Sequence, residues 1–97
     1  TQSRSSAASD VYKRQDLLIN SEKVDKDIAQ EMEHATLHYG GFASYYEGYG
    51  VLLEEVDELW EEIKDKQSIP ENLYKEAIQV AAMAREIALF AVQHVKD

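Results

Sequence analysis

Between residues 20 and 95, apolar side chains recur every three or four positions in three separate stretches. In the first, Val24, Ile28, Met32, Ala35 and Tyr39 share one face of a helix, starting near Asn20 or Ser21, either of which is a good cap. Gly40-Gly41 ends that helix, because glycine tolerates the left-handed conformation just past a helix terminus. In the second, from about Ser44 to Lys66, the stripe is Tyr49, Leu52, Leu53, Val56, Leu59, Trp60 and Ile63. In the third, from about Ile69 to Val95, Leu73, Ala77, Val80, Ala84, Ile87, Ala88 and Ala91 make a narrow, alanine-rich face suited to close helix packing. Ser68 followed by Glu71 reads as a capping box, with Pro70 in the first turn. The short connection makes the second and third helices antiparallel neighbours. No alternating run predicts a strand. The expected fold is all-α, an antiparallel bundle of three main helices.

Length and composition refine this picture. The chain has 97 residues, enough for one domain. Residues 1–15 are rich in Ser and Ala, lack an apolar period and resemble translated adapter or vector sequence. They read as a non-native or disordered segment, which leaves residues 16–97 as a single helical domain. About 80 residues give only a small core, so the bundle is expected to be completed by oligomerisation, as a homodimer or homotetramer. There is no cysteine, hence no disulfide framework and no thiolate metal site. No run approaches the ~20 apolar residues that cross a bilayer, so no membrane partner is expected, and the cytoplasm is the expected location. The net charge of −9 becomes −11 without residues 1–15, which carry three basic groups and one acidic. Such acidity argues against nucleic acid as a partner. It leaves phosphorylated small molecules open, because a divalent cation reverses the local sign.

The acid is concentrated. Seven acidic side chains fall between Glu54 and Asp65, with only Lys64 and Lys66 as nearby bases. At helical spacing, Glu55 and Glu62 flank the apolar stripe, Glu58 lies a little farther round, and Glu54, Asp57 and Glu61 point away. Glu55 and Glu58 stand i, i+3, close enough to raise each other's pKa unless a cation lies between them. Glu76 and Gln79 repeat the spacing on the third helix. Most Glu-rich amphipathic helices are simply solvated. Here the missing i+4 lysines, the position of Glu55 beside apolar residues and the recurrence on a second helix favour a site for Mg²⁺, which prefers oxygen ligands.

The stretch Glu47-Gly48-Tyr49-Gly50-Val51-Leu52-Leu53-Glu54-Glu55-Val56-Asp57-Glu58-Leu59-Trp60-Glu61-Glu62 resembles the first metal-binding helix of MazG-like nucleotide pyrophosphohydrolases. Lys75-Glu76-Ala77-Ile78-Gln79-Val80-Ala81-Ala82-Met83-Ala84 resembles their second, and small phage and mobile-element members look most similar. The resemblance covers about Ile28 to Phe90. It implies an all-α fold and Mg²⁺, or Mn²⁺, held by Glu-x-x-Glu and Glu-x-x-Asp. Glu55, Glu58 and Glu76 match that pattern, while Gln79 stands where the family usually has Asp. A Gln carbonyl can coordinate but brings no charge. The implied reaction splits a nucleoside triphosphate, NTP or dNTP, between the α and β phosphates, giving a monophosphate and pyrophosphate. Glu55, Glu58 and Glu76 would be ligands, with one of them a possible base, and Gln79 a further ligand or an anchor for water. Two rivals remain: an inactive helical interaction module of the same fold, and an acidic protein that binds a basic partner.

Other residues carry weaker signals. His34 and His38 stand i, i+4, a spacing that can bind Zn²⁺, but no third ligand is evident and they read as surface groups. His94 suits the dipole at the end of the third helix. Tyr39, Phe42, Tyr45, Tyr46 and Tyr49 read as packing residues, in the core or against another subunit, before they read as a base-stacking platform. Trp60 reads as core, and Lys75 and Arg85 as solvated surface.

Overall fold

The computed structural model of the chain describes residues 20–35 and 42–95. The expectations for residues 1–15, His38, Tyr39 and Gly40-Gly41 lie outside them. Among the described residues there are three helices and no strand: α1 over residues 20–35, α2 over Tyr45–Lys64 and α3 over Pro70–Val95. The all-α bundle read from the periodicity is therefore present.

The start of α2 is fixed by a device that the sequence carries as Ser44-x-x-Glu47. Ser44 is the N-cap, and its Oγ accepts from the Glu47 N–H at 3.2 Å. The Glu47 carboxylate reaches back to the backbone N–H of Ala43, so it serves a capping box. At the other end, Asp65 leaves the helix in extended conformation, and its side chain accepts from the Gln67 N–H at 2.9 Å. The capping box expected at the next helix does not form as read. The Ser68 hydroxyl donates to the Glu62 carboxylate instead, tying the loop to the end of α2. α3 then opens with Pro70, whose fixed φ suits a first helical position.

Cross-helix contacts set the directions. Tyr45 at the start of α2 packs edge-on against Phe90 near the end of α3, at 4.9 Å between ring centroids. Farther along α2, Glu55 meets Gln79, and Glu58 meets Glu76. The two helices are thus antiparallel. On α1, Asp27 accepts a hydrogen bond from the Tyr74 hydroxyl at 2.6 Å and pairs with Lys23 at 2.7 Å. Later on α1, Glu31 and Ala35 line one cavity with Ala82, Met83 and Glu86 of α3, so these two helices run the same way.

Among the described residues few are buried: Ala35, Gly48, Ile78, Ala82 and Met83, with Ala82 at 2% exposure. Gly48 is required for the close approach of α2 to α3. A Cβ there would stand 3.1 Å from the Phe42 ring and 3.2 Å from Ile87. Two expectations need correction. Along α2 only Leu52 and Leu59 of the predicted stripe are half-buried, whereas Tyr49, Leu53, Val56, Trp60 and Ile63 are exposed, Trp60 by 54%. On α3, Ala77, Ala84 and Ala88 are exposed, and the inward positions are Ile78, Ala82 and Met83. The reason is shared. Each helix has an apolar arc wider than the face its neighbours cover, and the arc alone does not say which part turns inward.

Candidate metal centre

Glu55, Glu58 and Glu76 each offer a carboxylate oxygen within 4.8 Å of the other two. The i, i+3 spacing on α2 brings the first pair together, and the antiparallel crossing of α3 supplies the third. Glu55 and Glu76 are half-buried and Glu58 is exposed. Burial pushes the Glu55 carboxyl above its ordinary value, with the charges of Glu58, Glu76, Glu31 and Glu54 adding to it. Burial also raises Glu76, followed by Glu58 and Glu62, while Lys75 pulls the other way. Glu55 therefore lacks compensating positive charge, and Lys75 offsets only part of the shift at Glu76.

Gln79 occupies the centre of this group. Its surroundings fix the amide orientation, since two carboxylates require donors. With the amide assigned so that its nitrogen meets the two carboxylates, Nε2 donates to Glu55 Oε1 at 3.1 Å and to Glu76 Oε1 at 3.3 Å. Turned over, the same amide presents Oε1 beside Glu55 and Glu76, where a cation shared with them would meet it.

The donor set is all oxygen, which fits a hard divalent cation. An octahedral Mg²⁺ with ~2.1 Å bonds places adjacent ligands about 3.0 Å and opposite ligands about 4.2 Å apart, so oxygens within 4.8 Å of one another would draw together by side-chain rotation to close on it. Next to this group lies a cavity of about 480 Å³ between the three helices, into which Glu55 and Gln79 face. Phe42, Val51, Ala82 and Met83 form its apolar wall.

Four carboxylates at the cavity were not singled out from the sequence, among them Glu47, which also caps α2. Glu54, expected among the solvent-facing acids, lines it while remaining exposed. Glu31 enters from α1 and Glu86 from α3. Glu86 Oε2 is buried without a hydrogen-bond partner among the described residues, and burial, then the Glu31 charge, raises its pKa. A signal existed, because Glu76, Gln79, Met83 and Glu86 follow one another at three, four and three residues along one face of α3.

The remaining candidates fall elsewhere. His34 lines the cavity rim. His94 closes the aromatic cluster at the far end, its Nδ1 3.0 Å from the Phe90 carbonyl and 3.2 Å from the Tyr45 hydroxyl. Lys75 and Arg85 are exposed, and Glu61 pairs with Lys64 at 3.0 Å. Among the described residues no helix is long and apolar enough to cross a membrane. The chain matches no family model, no curated protein and no solved structure.

Proposed function

We propose that this chain is a MazG-like, Mg²⁺-dependent nucleoside triphosphate pyrophosphohydrolase. The observation that carries the reading is the convergence of Glu55, Glu58 and Glu76 from two helices onto one point. Mg²⁺, or Mn²⁺ in its place, would supply charge neutralisation of the phosphate oxygens and activation of water. The chain's own residues do the rest. Glu55, Glu58 and Glu76 would hold the cation, and through its charge the triphosphate. One of the three would serve as the base toward the attacking water. The adjoining cavity, within the usual size range of small-molecule sites, has apolar walls at Phe42, Val51 and Met83 suited to the nucleoside.

Release of pyrophosphate and monophosphate from a panel of NTPs and dNTPs tests this. Turnover should require Mg²⁺ or Mn²⁺, and Glu76→Gln should lower kcat/KM by roughly 100-fold or more. A second reading rests on Gln79. Its amide already satisfies one oxygen of Glu55 and one of Glu76 without any ion, as a helical interaction module that has lost catalysis would require. An absence of both Mg²⁺ binding and turnover would sink the enzymatic reading and favour that module.

A further inference from the structure

The exposed apolar residues of α2 are not scattered. Tyr46, Tyr49, Leu53, Val56, Trp60 and Ile63 succeed one another at three, four, three, four and three residues, and their exposures run from 40% to 89%. That is the a/d rhythm of a two-stranded seam. It runs about 26 Å along the helix, at 1.5 Å per residue. It is distinct from the strip of buried and half-buried positions Gly48, Leu52, Leu59 and Glu62, of which Gly48 packs beside Ile87 of α3. We propose that this seam is the surface on which a second copy of the chain docks, α2 against α2, antiparallel.

The register follows from the residues. A two-fold axis midway between Leu53 and Val56 sets Leu53 opposite the partner's Val56, Tyr49 opposite the partner's Trp60, and Tyr46 opposite the partner's Ile63. All six residues then find an apolar counterpart, as a self-complementary isologous contact demands. The antiparallel direction also opposes the two helix dipoles. A parallel pairing would align the dipoles and set Trp60 against Trp60 and each Tyr against itself. The area is of the right order. At 150–250 Å² per buried aromatic, the exposed parts of Tyr46, Tyr49 and Trp60 present roughly 300–500 Å². Leu53, Val56 and Ile63 bring this toward the ~600 Å² per partner at the lower end of stable interfaces.

The arrangement has a consequence for the acidic centre. At 100° per residue, Glu55 and Glu58 lie roughly 130–170° around α2 from the seam. The dimer therefore carries two complete centres on its outer faces, and neither borrows a residue from the partner. The interface does not depend on the enzymatic reading.

Light scattering on the full chain tests it. At micromolar concentration the mass should be twice 11.1 kDa. Leu53→Lys should raise the dimer dissociation constant by roughly 100-fold while far-UV circular dichroism keeps the helical signal. Tyr46→Lys, at the most exposed seam position, serves if Leu53→Lys disturbs folding. Because the chain has no cysteine, Tyr46→Cys mixed with Ile63→Cys under oxidation should give the mixed disulfide. Disulfides joining like with like would overturn the antiparallel register. A monomeric wild type, with the seam covered by its own chain or by nothing, would overturn the interface, as would a Leu53→Lys dimer of unchanged affinity.

Discussion

Replacing Gln79 by Asp tests the electrostatics of the centre directly. In the native chain Gln79 Nε2 donates to Glu55 at 3.1 Å and Glu76 at 3.3 Å. Asp removes both donors and, being one methylene shorter, sets a fourth carboxylate at roughly 4.5 Å from each neighbour. A like-charge pair at that distance costs about 1 kcal/mol in a water-like dielectric and about 4 kcal/mol at an effective value of 20. The half-buried setting of Glu55 and Glu76 lies between these limits, and proton uptake caps the cost. A destabilisation of about 2–4 kcal/mol near pH 7 follows, or roughly 10–25 °C in Tm for a domain of this size. A divalent cation should reverse the sign of the added charge from burden to ligand. Melting curves at one protein concentration, in EDTA and in excess Mg²⁺, read both effects. Gln79→Asp should melt well below wild type in EDTA, and Mg²⁺ should close at least half of the gap, with tighter Mg²⁺ binding by calorimetry and equal or higher pyrophosphohydrolase activity. Glu76→Gln should behave oppositely, with a higher Tm in EDTA and little response to Mg²⁺. An unchanged Tm for Gln79→Asp in EDTA would refute the contact with the two carboxylates. A drop that Mg²⁺ does not recover would refute the cation site.

Two further perturbations have signs fixed by the structure. Glu55, Glu76 and Glu86 all have folded-state pKa values raised above 4.5, so the folded chain holds protons that the unfolded chain releases. Stability in EDTA should then fall as pH rises from about 4.5 through those raised values, giving a higher Tm near pH 5 than near pH 7, and Mg²⁺ should flatten the slope by competing with protons. Gly50→Ala should stabilise by about 0.5–1 kcal/mol in thermal melts, because a Cβ there meets nothing within 4 Å and alanine is the better helix former; Gly48→Leu, which must displace Phe42 and Ile87, should destabilise by about 1–3 kcal/mol.

The helices were legible because periodicity reports local geometry. The reading placed α2 at about 44–66 and α3 at about 69–95, against Tyr45–Lys64 and Pro70–Val95. The triad was legible for a related reason: i, i+3 spacing fixes Glu55 next to Glu58, and one short antiparallel connection is enough to bring Glu76 across. What the sequence left open was rotation about each helix axis. The α2 arc spans about a third of the helix circumference, with Leu59 at one edge and Trp60 near the other, so both read as apolar positions of one stripe; the packing of Gly48 on Ile87 turns Leu59 inward and leaves Trp60 outside. The same ambiguity hid Glu86, whose charged neighbour Glu31 comes from α1, a helix whose packing the local pattern does not specify. Gln79 was found by spacing, but its role depends on which way an amide faces, and only its neighbours decide that.

Stability, the acidic centre and the α2 seam bear on one another. The described core holds five buried residues, one of them a glycine and two of them alanines, and no large side chain is fully enclosed. A core that small, in a domain of about 80 residues, leaves little margin against conformational entropy. Against it stand seven carboxylates, Glu31, Glu47, Glu54, Glu55, Glu58, Glu76 and Glu86, at or beside one cavity. An isolated, cation-free subunit is therefore the least stable form this chain can take. Each proposed ligand relieves a different deficit. A cation offsets the repulsion at Glu55, Glu58 and Glu76, and a second copy buries the apolar surface that α3 does not reach. The two act on nearly opposite faces of α2, so they should stabilise additively, with the seam unaffected by EDTA and the centre unaffected by Leu53→Lys. Coupling between them would show that the faces are not independent, and the outward placement of the two centres would then be wrong.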